Sequence, residues 1–569
     1  MNPNPPSCGW KWSLAGLVTL VAAVRASILF ATPLVPGMNG AYYLVQARSV
    51  LARGTLGIPD LPLTFYLQAA VAWLVRTLSG WQPEPSILLA VKLSDALFPA
   101  LVVVPVALLV LRWSRRAGAP DWLALAAGAA AALNAPLLGM AGDFQKNSLG
   151  FVWLAALLYA LQLWTEDPSA RRAVAVVAFW GLAGLTHIAV FGASLLLGGL
   201  ALVFFRTSRR FSWRALWPLL LAAGAVLLLA AGLVLWKFDP GRIGKLAQAL
   251  AHPASYLTGE GLRGGPGGGG GGPPGGMPGA GRLLGSSFLL VLVAALAACR
   301  AGWPLWRRGE GQWCLPVACA LGAVVLTGPW VQGDKTERFG LLAVVPAVLA
   351  AAFALIHWPR PRLRAGLAGA LVLALAVSGW ETLSRGGRGI VNEAAVRELQ
   401  AMAPLIPHPE KTLVCARHGL EWWAAWTLHT HIAQPSALQA SDWQRFESVC
   451  FLKSSGQSGE GRPPMGGGPP GAGWLRRIGF SQPGPPPGGG FHGGPPPFPG
   501  GPGGNGGPGG PPPGGAGGPG GPGGPGGGSP MSDPEIPSDA EPLHQGAHFT
   551  LARVPSAPEF VTHPAQSWK

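Results

Sequence analysis

The chain has 569 residues, of which 85 are Gly and 58 are Pro, yet 49% are hydrophobic, 12% are charged and the mean hydropathy is +0.33. A quarter of Gly plus Pro speaks for low complexity, and a positive hydropathy speaks for burial in lipid; the two coexist only if they are segregated along the chain, which excludes a single soluble domain and a wholly disordered one. The formal charge is +16, and the six Cys form no CxxC pair, so no zinc or redox motif is indicated.

In chain order, apolar runs of bilayer-spanning length predict eleven membrane helices: 13–31, 87–111, 120–139, 147–164, 172–188, 190–205, 214–236, 283–299, 313–331, 339–357 and 365–381. Residues 1–12 are then a cytoplasmic N-terminus and 13–381 a transmembrane domain, with a long outer loop at 32–86. The apolar segment 61–79 begins Leu61-Pro62-Leu63 and carries Arg76, and reads as a helix in the outer interface. With the N-terminus inside, Lys11, then Arg112, Arg115 and Arg116, Arg171 and Arg172, Arg206, Arg209, Arg210 and Arg214, Arg300, Arg307 and Arg308, and Arg360, Arg362 and Arg364 all fall on the inner side. The charge therefore orients the protein in a plasma (inner) membrane, and nothing is left over for nucleic acid. The first run has no small-residue cleavage site before Pro33 and is expected to stay as an anchor.

Eleven spans put the C-terminus outside. Residues 385–455 plus 540–569 read as a small extracytoplasmic α/β domain: helix 391–402, strand 411–416, helix 420–430, strand 447–453 and a returning strand at 546–554. The Gly/Pro-rich stretch 456–539 is an insertion between two strands, and a shorter tract, 263–280, sits in an outer loop. The triplet Gly period, as from Gly517 to Gly527, is broken at Pro512, so flexible disorder is expected rather than a collagen helix. If the strands at 411–416 and 447–453 are neighbours, Cys415 and Cys450 are placed to form a disulfide.

Polar residues of the outer loops and span ends carry the chemistry. Residues 41–53 form an amphipathic helix with Tyr43 on its apolar face and Arg48 and Arg53 at its flanks, either an interfacial belt or part of a binding site. Asp143 and Lys146 lie at one outer mouth, and Glu337 and Arg338 at another, where Arg338 suits a phosphate. His187 is near the outer end of a span; Lys92 and Asp95, three apart on one helix, are expected to pair with each other; Arg25 must face the bundle or a wet cavity.

In this order the features resemble the C-class (GT-C) membrane glycosyltransferases, which include protein mannosyltransferases, aminoarabinose transferases and oligosaccharyltransferases. Residues 62–66 (Pro-Leu-Thr-Phe-Tyr) are similar to the family's P-P-L-x-(Y/F)-W region, 92–98 to its R-L-P-S-A-L-F segment with Lys92 for Arg, and the stretch from Asn39 to Arg48 to its D-P-x-Y-x-Y-R start of the first outer loop. The resemblance covers about residues 13–380. It implies a donor sugar on a polyprenyl phosphate, a glycan, lipid or protein acceptor at the outer face of the lipid bilayer, and room for a divalent metal, Mg or Mn. By resemblance, Arg338 meets the phosphate, with Lys146, Arg48, Tyr43, Glu337 and His187 as further substrate contacts. The family's key acid falls at Asn39, and an amide cannot take a proton at neutral pH. Asp143, which matches the second outer-loop acid, and Asp60 are then the candidates for base, Asp143 also for any metal. The alternative is an inactive scaffold or lipid-glycan binder. A transporter is disfavoured, since the chain has no internal repeat. Arg417-His418-Gly419-Leu420-Glu421-Trp422-Trp423 only partly resembles the W-W-D-Y-G of oligosaccharyltransferases; it lacks the Asp, and its Trp residues read as core or as a sugar platform.

Overall fold

The structure, a computed structural model, describes residues 7–207 except 168, residues 287–558 except 332–333, 388 and 456–532, and isolated positions at 224, 232, 237, 238 and 251. The expected span 214–236, apart from the isolated positions 224 and 232, the tract 263–280 and residues 456–532 of the second tract lie outside the described residues.

The N-terminal part is helical. It begins with α1 (Cys8–Leu29), whose N-terminus is capped by Ser7 accepting from the Trp10 amide at 3.3 Å. The short helix α2 (Gly40–Arg53) ends on Gly54 at φ +70°, and α3 (Leu63–Ser79) on Gly80 at φ +70°; a left-handed residue lets the chain turn back after the last carbonyls. Then come α4 (Pro83–Ala100) and α5 (Val103–Arg116), one continuous span broken where the Leu101 and Val102 amides tighten onto Phe98 and Pro99. After α6 (Trp122–Ala132), α7 (Ala135–Gly139) starts on Asn134, whose side chain accepts from the Leu137 amide. The bundle continues with α8 (Gln145–Glu166), α9 (Ala170–Thr186), α10 (Ile188–Thr207), α11 (Ser287–Arg307), α12 (Cys314–Thr327), α13 (Asp334–Ile356) and α14 (Pro361–Arg385).

Among the described residues, eight helices are long and apolar enough to cross a membrane. The protein is a multi-pass membrane protein. Two described helices at expected spans are not among the eight: α9, with 17 residues, is as long as its apolar run, and α12, with 14, is shorter than the expected 313–331. Close helix approach uses glycine: a Cβ on Gly150 would stand 2.7 Å from Val190, and one on Gly128 3.0 Å from Val103. One apolar core runs through the bundle, and at one end Glu166 of α8 pairs with both Arg112 and Arg116 of α5.

The C-terminal part is a small α/β unit. Helix α15 (Glu393–Met402) is followed by β1 (Thr412–Cys415), α16 (Leu420–Leu428), β2 (His431–Ala433), β3 (Ser448–Ser454), β4 (Glu541–Gln545) and β5 (Phe549–Arg553). The sheet order is β2-β1-β3-β5-β4: β1 pairs parallel with β2 and β3, while β5 pairs antiparallel with β3 and β4. β2 and β4 have no counterpart in the sequence reading. The described chain on either side of the insertion lies close together: the Ser455 amide bonds the His548 carbonyl at 2.8 Å and Ser454 Oγ donates to Asp533 at 3.3 Å.

The expected disulfide does not form. The strands are neighbours, but Cys450 stands opposite Val414 and Cys415 opposite Phe451. A one-residue offset turns the two side chains to opposite faces of the sheet. Cys450 packs with Val414, Leu452 and Leu551 against the helices, and Cys415 with Leu413, Val449 and Phe451 on the far face.

The unit does not hang free. Its inner face shares one core with α2, α3 and the start of α4: Tyr42, Tyr43, Phe65 and Ile87 pack with Leu399, Leu420, Trp423 and Leu551.

Candidate functional site

Two backbone segments meet where the loop after α1 enters α2. Gly37 (φ +89°) and Gly142 (φ +86°) both hold conformations that side chains resist. A Cβ on Gly37 would lie 2.5 Å from the Asp143 Cβ, and one on Gly142 would run into the Pro36 carbonyl. The two glycines thus let the 36–39 loop lie directly on the turn that carries Asp143.

Asp143 Oδ1 accepts from both the backbone amide and the side-chain Nδ2 of Asn39, each at 2.8 Å. The carboxylate therefore caps the entry to α2, where amide dipoles favour negative charge. Tyr43 donates its hydroxyl to the Asp143 carbonyl at 3.2 Å and receives the Lys146 amide at 3.4 Å.

Asp60 sits beside this turn, buried. It takes the Tyr42 hydroxyl and the Leu61 amide, and it forms an ion pair with Lys146. The Lys146 ammonium also lies over the Tyr42 ring, 5.4 Å from its centre, and over Phe65. Gln46 fixes the 57–60 segment by accepting from Gly57 and Ile58 and donating to the Ile58 carbonyl.

The two carboxyl groups are driven apart. Burial raises both, but at Asp60 the Lys146 ammonium, the Tyr42 hydroxyl and the Leu61 amide outweigh it and hold the carboxyl below its usual value. At Asp143 burial wins, and the group stands above its usual value despite the Asn39 donors and the attraction of His418.

Below the turn lies a buried polar layer. Arg25 (2% exposed) donates to the Asp95 carboxylate at 2.8 Å, the Asp95 carbonyl at 2.8 Å and the Leu137 carbonyl at 2.9 Å. The other Asp95 oxygen accepts the Gly142 amide at 2.7 Å, tying the pair to the Asp143 turn. This corrects the expected Lys92–Asp95 pair. Lys92, one turn nearer the start of α4, reaches the carbonyls of Thr32 and Pro33 at 2.6 and 2.9 Å, which leaves Asp95 to Arg25. A cavity of about 10 Å³ beside this layer is lined by Thr64, Gln68, Ser94, Asp95 and Gln145. The Thr64 and Ser94 hydroxyls and Gln68 Oε1 have no bonding partner among the described residues, and the space fits one water.

The C-terminal unit closes over the same place. Gly37 bridges to Gly389, Trp422 packs on Tyr42 with ring centres 4.8 Å apart, and Gly419 (φ +92°) leaves only enough room for Met38 and Ile390. Arg48 is used for docking: it donates to the Ala425 and Trp426 carbonyls at 2.6 and 2.8 Å, at the end of α16, and lies over the Trp426 ring.

Of the residues singled out in the sequence, Asn39, Tyr43, Asp60, Asp143 and Lys146 thus form one cluster. Arg338 is exposed near the start of α13, and the Glu337 side chain lies outside the described part. His187 forms the break between α9 and α10, where its amide bonds the Ala183 carbonyl. Sequence reasoning missed Tyr42, His418 and Glu421 as site residues. Tyr42 is adjacent to Tyr43 on the helix; for His418 and Glu421 the only signal was polar residues opening a helix just after a strand.

The donor set does not fit a divalent cation. Among the described residues no three His, Cys, Asp or Glu side chains converge, and the facing carboxylates are already bound by the Asn39 amides and the Lys146 ammonium.

No protein-family profile and no curated protein sequence matches the chain. Solved structures do. The chain is similar to the oligosaccharyltransferase AglB from Archaeoglobus fulgidus, in complex with an inhibitory peptide and a dolichol-phosphate, at 13% identity and a TM-score of 0.48, covering 78% of this chain and 70% of that one. It is also similar to ArnT from Cupriavidus metallidurans bound to undecaprenyl phosphate (16% identity, TM-score 0.43, 75% of this chain and 86% of that one) and to the same protein in its apo state (15%, 0.43, 78% and 92%).

Proposed function

We propose that the protein is an integral membrane glycosyltransferase, moving a sugar from a polyprenyl-phosphate donor to an acceptor at the extracytoplasmic face. The observation that carries this reading is the contact between Asn39 and Asp143. The resemblance puts an acid at position 39; the carboxylate of the second outer loop lies against that position instead.

In this reading Asp143 is the base. As the acceptor oxygen bonds to C1 of the sugar, its O–H bond breaks and the proton goes to the Asp143 carboxylate, while the C1–phosphate oxygen bond breaks and its electron pair leaves with the polyprenyl phosphate. Asp60, fixed as an anion by Lys146, Tyr42 and Leu61, holds the floor of the site. Arg338 is the candidate for the lipid phosphate. The arginine-rich helix ends, including Arg112 and Arg116, face the cytoplasm, and the α/β unit faces out.

The test is Asp143→Asn in liposomes supplied with polyprenyl-phosphate-linked sugars. Transfer is expected to fall by about 10²-fold or more. Full transfer in the variant would remove Asp143 from the role. A second reading, an inactive lipid-glycan binder, is favoured by the amide at position 39 and predicts binding of lipid-linked sugar without turnover.

A further inference from the structure

Glu421 opens α16 and is buried to 1% exposure. Its Oε1 meets His418 Nδ1 at 2.9 Å and accepts from Gln434 Nε2 at 3.0 Å, while Oε2 has no bonding partner among the described residues. A carboxylate so enclosed is costly unless a cation or a proton is shared with it. His418 is the group placed to share it, so the dyad carries a proton. The dyad sits on the membrane site: Gly419 presses on Met38, the residue before Asn39, and Trp422 packs on Tyr42. The charged groups that act on His418, in the turn before α16, are Glu421 in the first turn of that helix and Asp143, whose carboxylate is held by the same 37–39 loop that Gly419 touches through Met38. Its neighbour Arg417 is turned away to Asp533 at 3.3 Å.

We propose that His418, oriented by Glu421 and Gln434, is the positioning residue of Asp143, so that the C-terminal unit completes the acid–base machinery of the membrane site. With Nδ1–H given to Glu421, the imidazole ring presents its other nitrogen away from Glu421, and its positive charge keeps Asp143 ionised until the acceptor yields its proton. Glu421, through its hydrogen bond, and Asp143 both push the His418 titration upward, against the effect of burial. His418 in turn offsets part of the rise that burial causes at Asp143. This inference rests on the glycosyltransferase reading for its consequence, but the His418–Asp143 pairing itself can be measured without turnover.

The first experiment is the pH dependence of sugar transfer by the full-length protein in liposomes, using undecaprenyl- and decaprenyl-phosphate-linked sugars. Asp143 works as a base only when ionised, so transfer declines as pH falls through its titration. Removing the imidazolium raises that titration. His418→Gln is therefore expected to move the acidic limb up by about one pH unit, Glu421→Gln to move it in the same direction, and His418→Lys, with a fixed charge, to restore it. An unmoved limb in folded His418→Gln protein would overturn the proposal. The second experiment follows the His418 ring by NMR of histidine-labelled protein in nanodiscs, with His418→Gln as the assignment control. Asp143→Asn should lower the His418 titration midpoint. An unchanged midpoint overturns the pairing whatever the activity. A lowered midpoint in a protein that transfers no sugar supports the pairing and discards the glycosyltransferase reading.

Discussion

The Arg25–Asp95 pair is the buried element on which the Asp143 turn depends, and Asp95→Asn tests that dependence. In the native protein one carboxylate oxygen faces Arg25 Nη2 at 2.8 Å and the other faces the Gly142 amide at 2.7 Å, so two donors meet two acceptors. An amide of the same shape offers one acceptor and one NH₂, so whichever way it turns, a donor meets a donor. Arg25 keeps the carbonyls of Asp95 and Leu137 but loses its counter-charge in a bundle interior. Removing one member of a buried pair costs about 3–5 kcal/mol. Equilibrium unfolding in mixed detergent micelles should register a loss of that order for Asp95→Asn. The double variant Arg25→Met/Asp95→Leu should recover at least half of it, since no charge is then stranded. A loss under about 1 kcal/mol for Asp95→Asn, or a double variant worse than both singles, would refute the reasoning, because either would mean the pair is solvated rather than buried.

Lys146→Met strands Asp60. In the native protein the Asp60 titration is lowered, so its stabilisation is present above the unfolded carboxyl value of about 4 and is lost as pH falls through the lowered native value. Without Lys146, burial dominates and Asp60 rises; the variant should lose about 3 kcal/mol at neutral pH and regain part of it as pH falls towards the ordinary carboxyl value of about 4, as read by thermal unfolding across pH. Deleting 456–532 behind a short Gly-Ser connector should change stability by under about 1 kcal/mol, because the ends already meet at Ser454 and Asp533; aggregated or misinserted protein would show that the tract contributes to folding. Asn39→Asp should raise the pH needed for transfer, since two carboxylates in contact cannot both ionise easily; a variant more active than the parent at neutral pH would instead mark position 39 as a decayed base.

Much of the fold was legible in the sequence, and the reasons are local. Apolar length marks a membrane helix without reference to any partner, so most spans were found within a few residues of their ends. The α/β unit was legible because β1, α16 and β3 are each announced by their own pattern. β2 and β4 were missed because they are edge strands: His431–Ala433 is too short for periodicity, and Glu541–Gln545 contains Pro542 and alternates weakly. The site was half legible. Asp143 and Lys146 stood out as charges at a span mouth, and Asp60 as an outer-loop acid that could stand in for position 39. Their partners did not, since which cation meets which anion is set by register between helices far apart in sequence. Lys92 and Asp95 look like a pair on one helix, but Arg25, 70 residues away, takes the carboxylate. The offset that separates Cys415 from Cys450 is likewise a matter of register, which spacing alone does not reveal.

The charges around position 39 argue that its amide belongs to a working arrangement rather than a gap in one. An aspartate there would face Asp143 with only backbone donors to separate them, beside a third carboxylate at Asp60. The native set distributes donors instead: two N–H groups of Asn39 for Asp143, an ammonium and a phenol for Asp60, a guanidinium for Asp95. Each carboxylate thereby has its own donor set, and the donors differ in kind. Asp60 and Asp95 receive full positive charges from their own segments of the bundle. Asp143 receives neutral amides, and the cation that faces it, His418, comes from the C-terminal unit and gains or loses its charge with pH. A neutral, fixed donor set with a titratable neighbour leaves Asp143 the one carboxylate of the three whose proton affinity can respond to its surroundings, and it is the one at the mouth of the site.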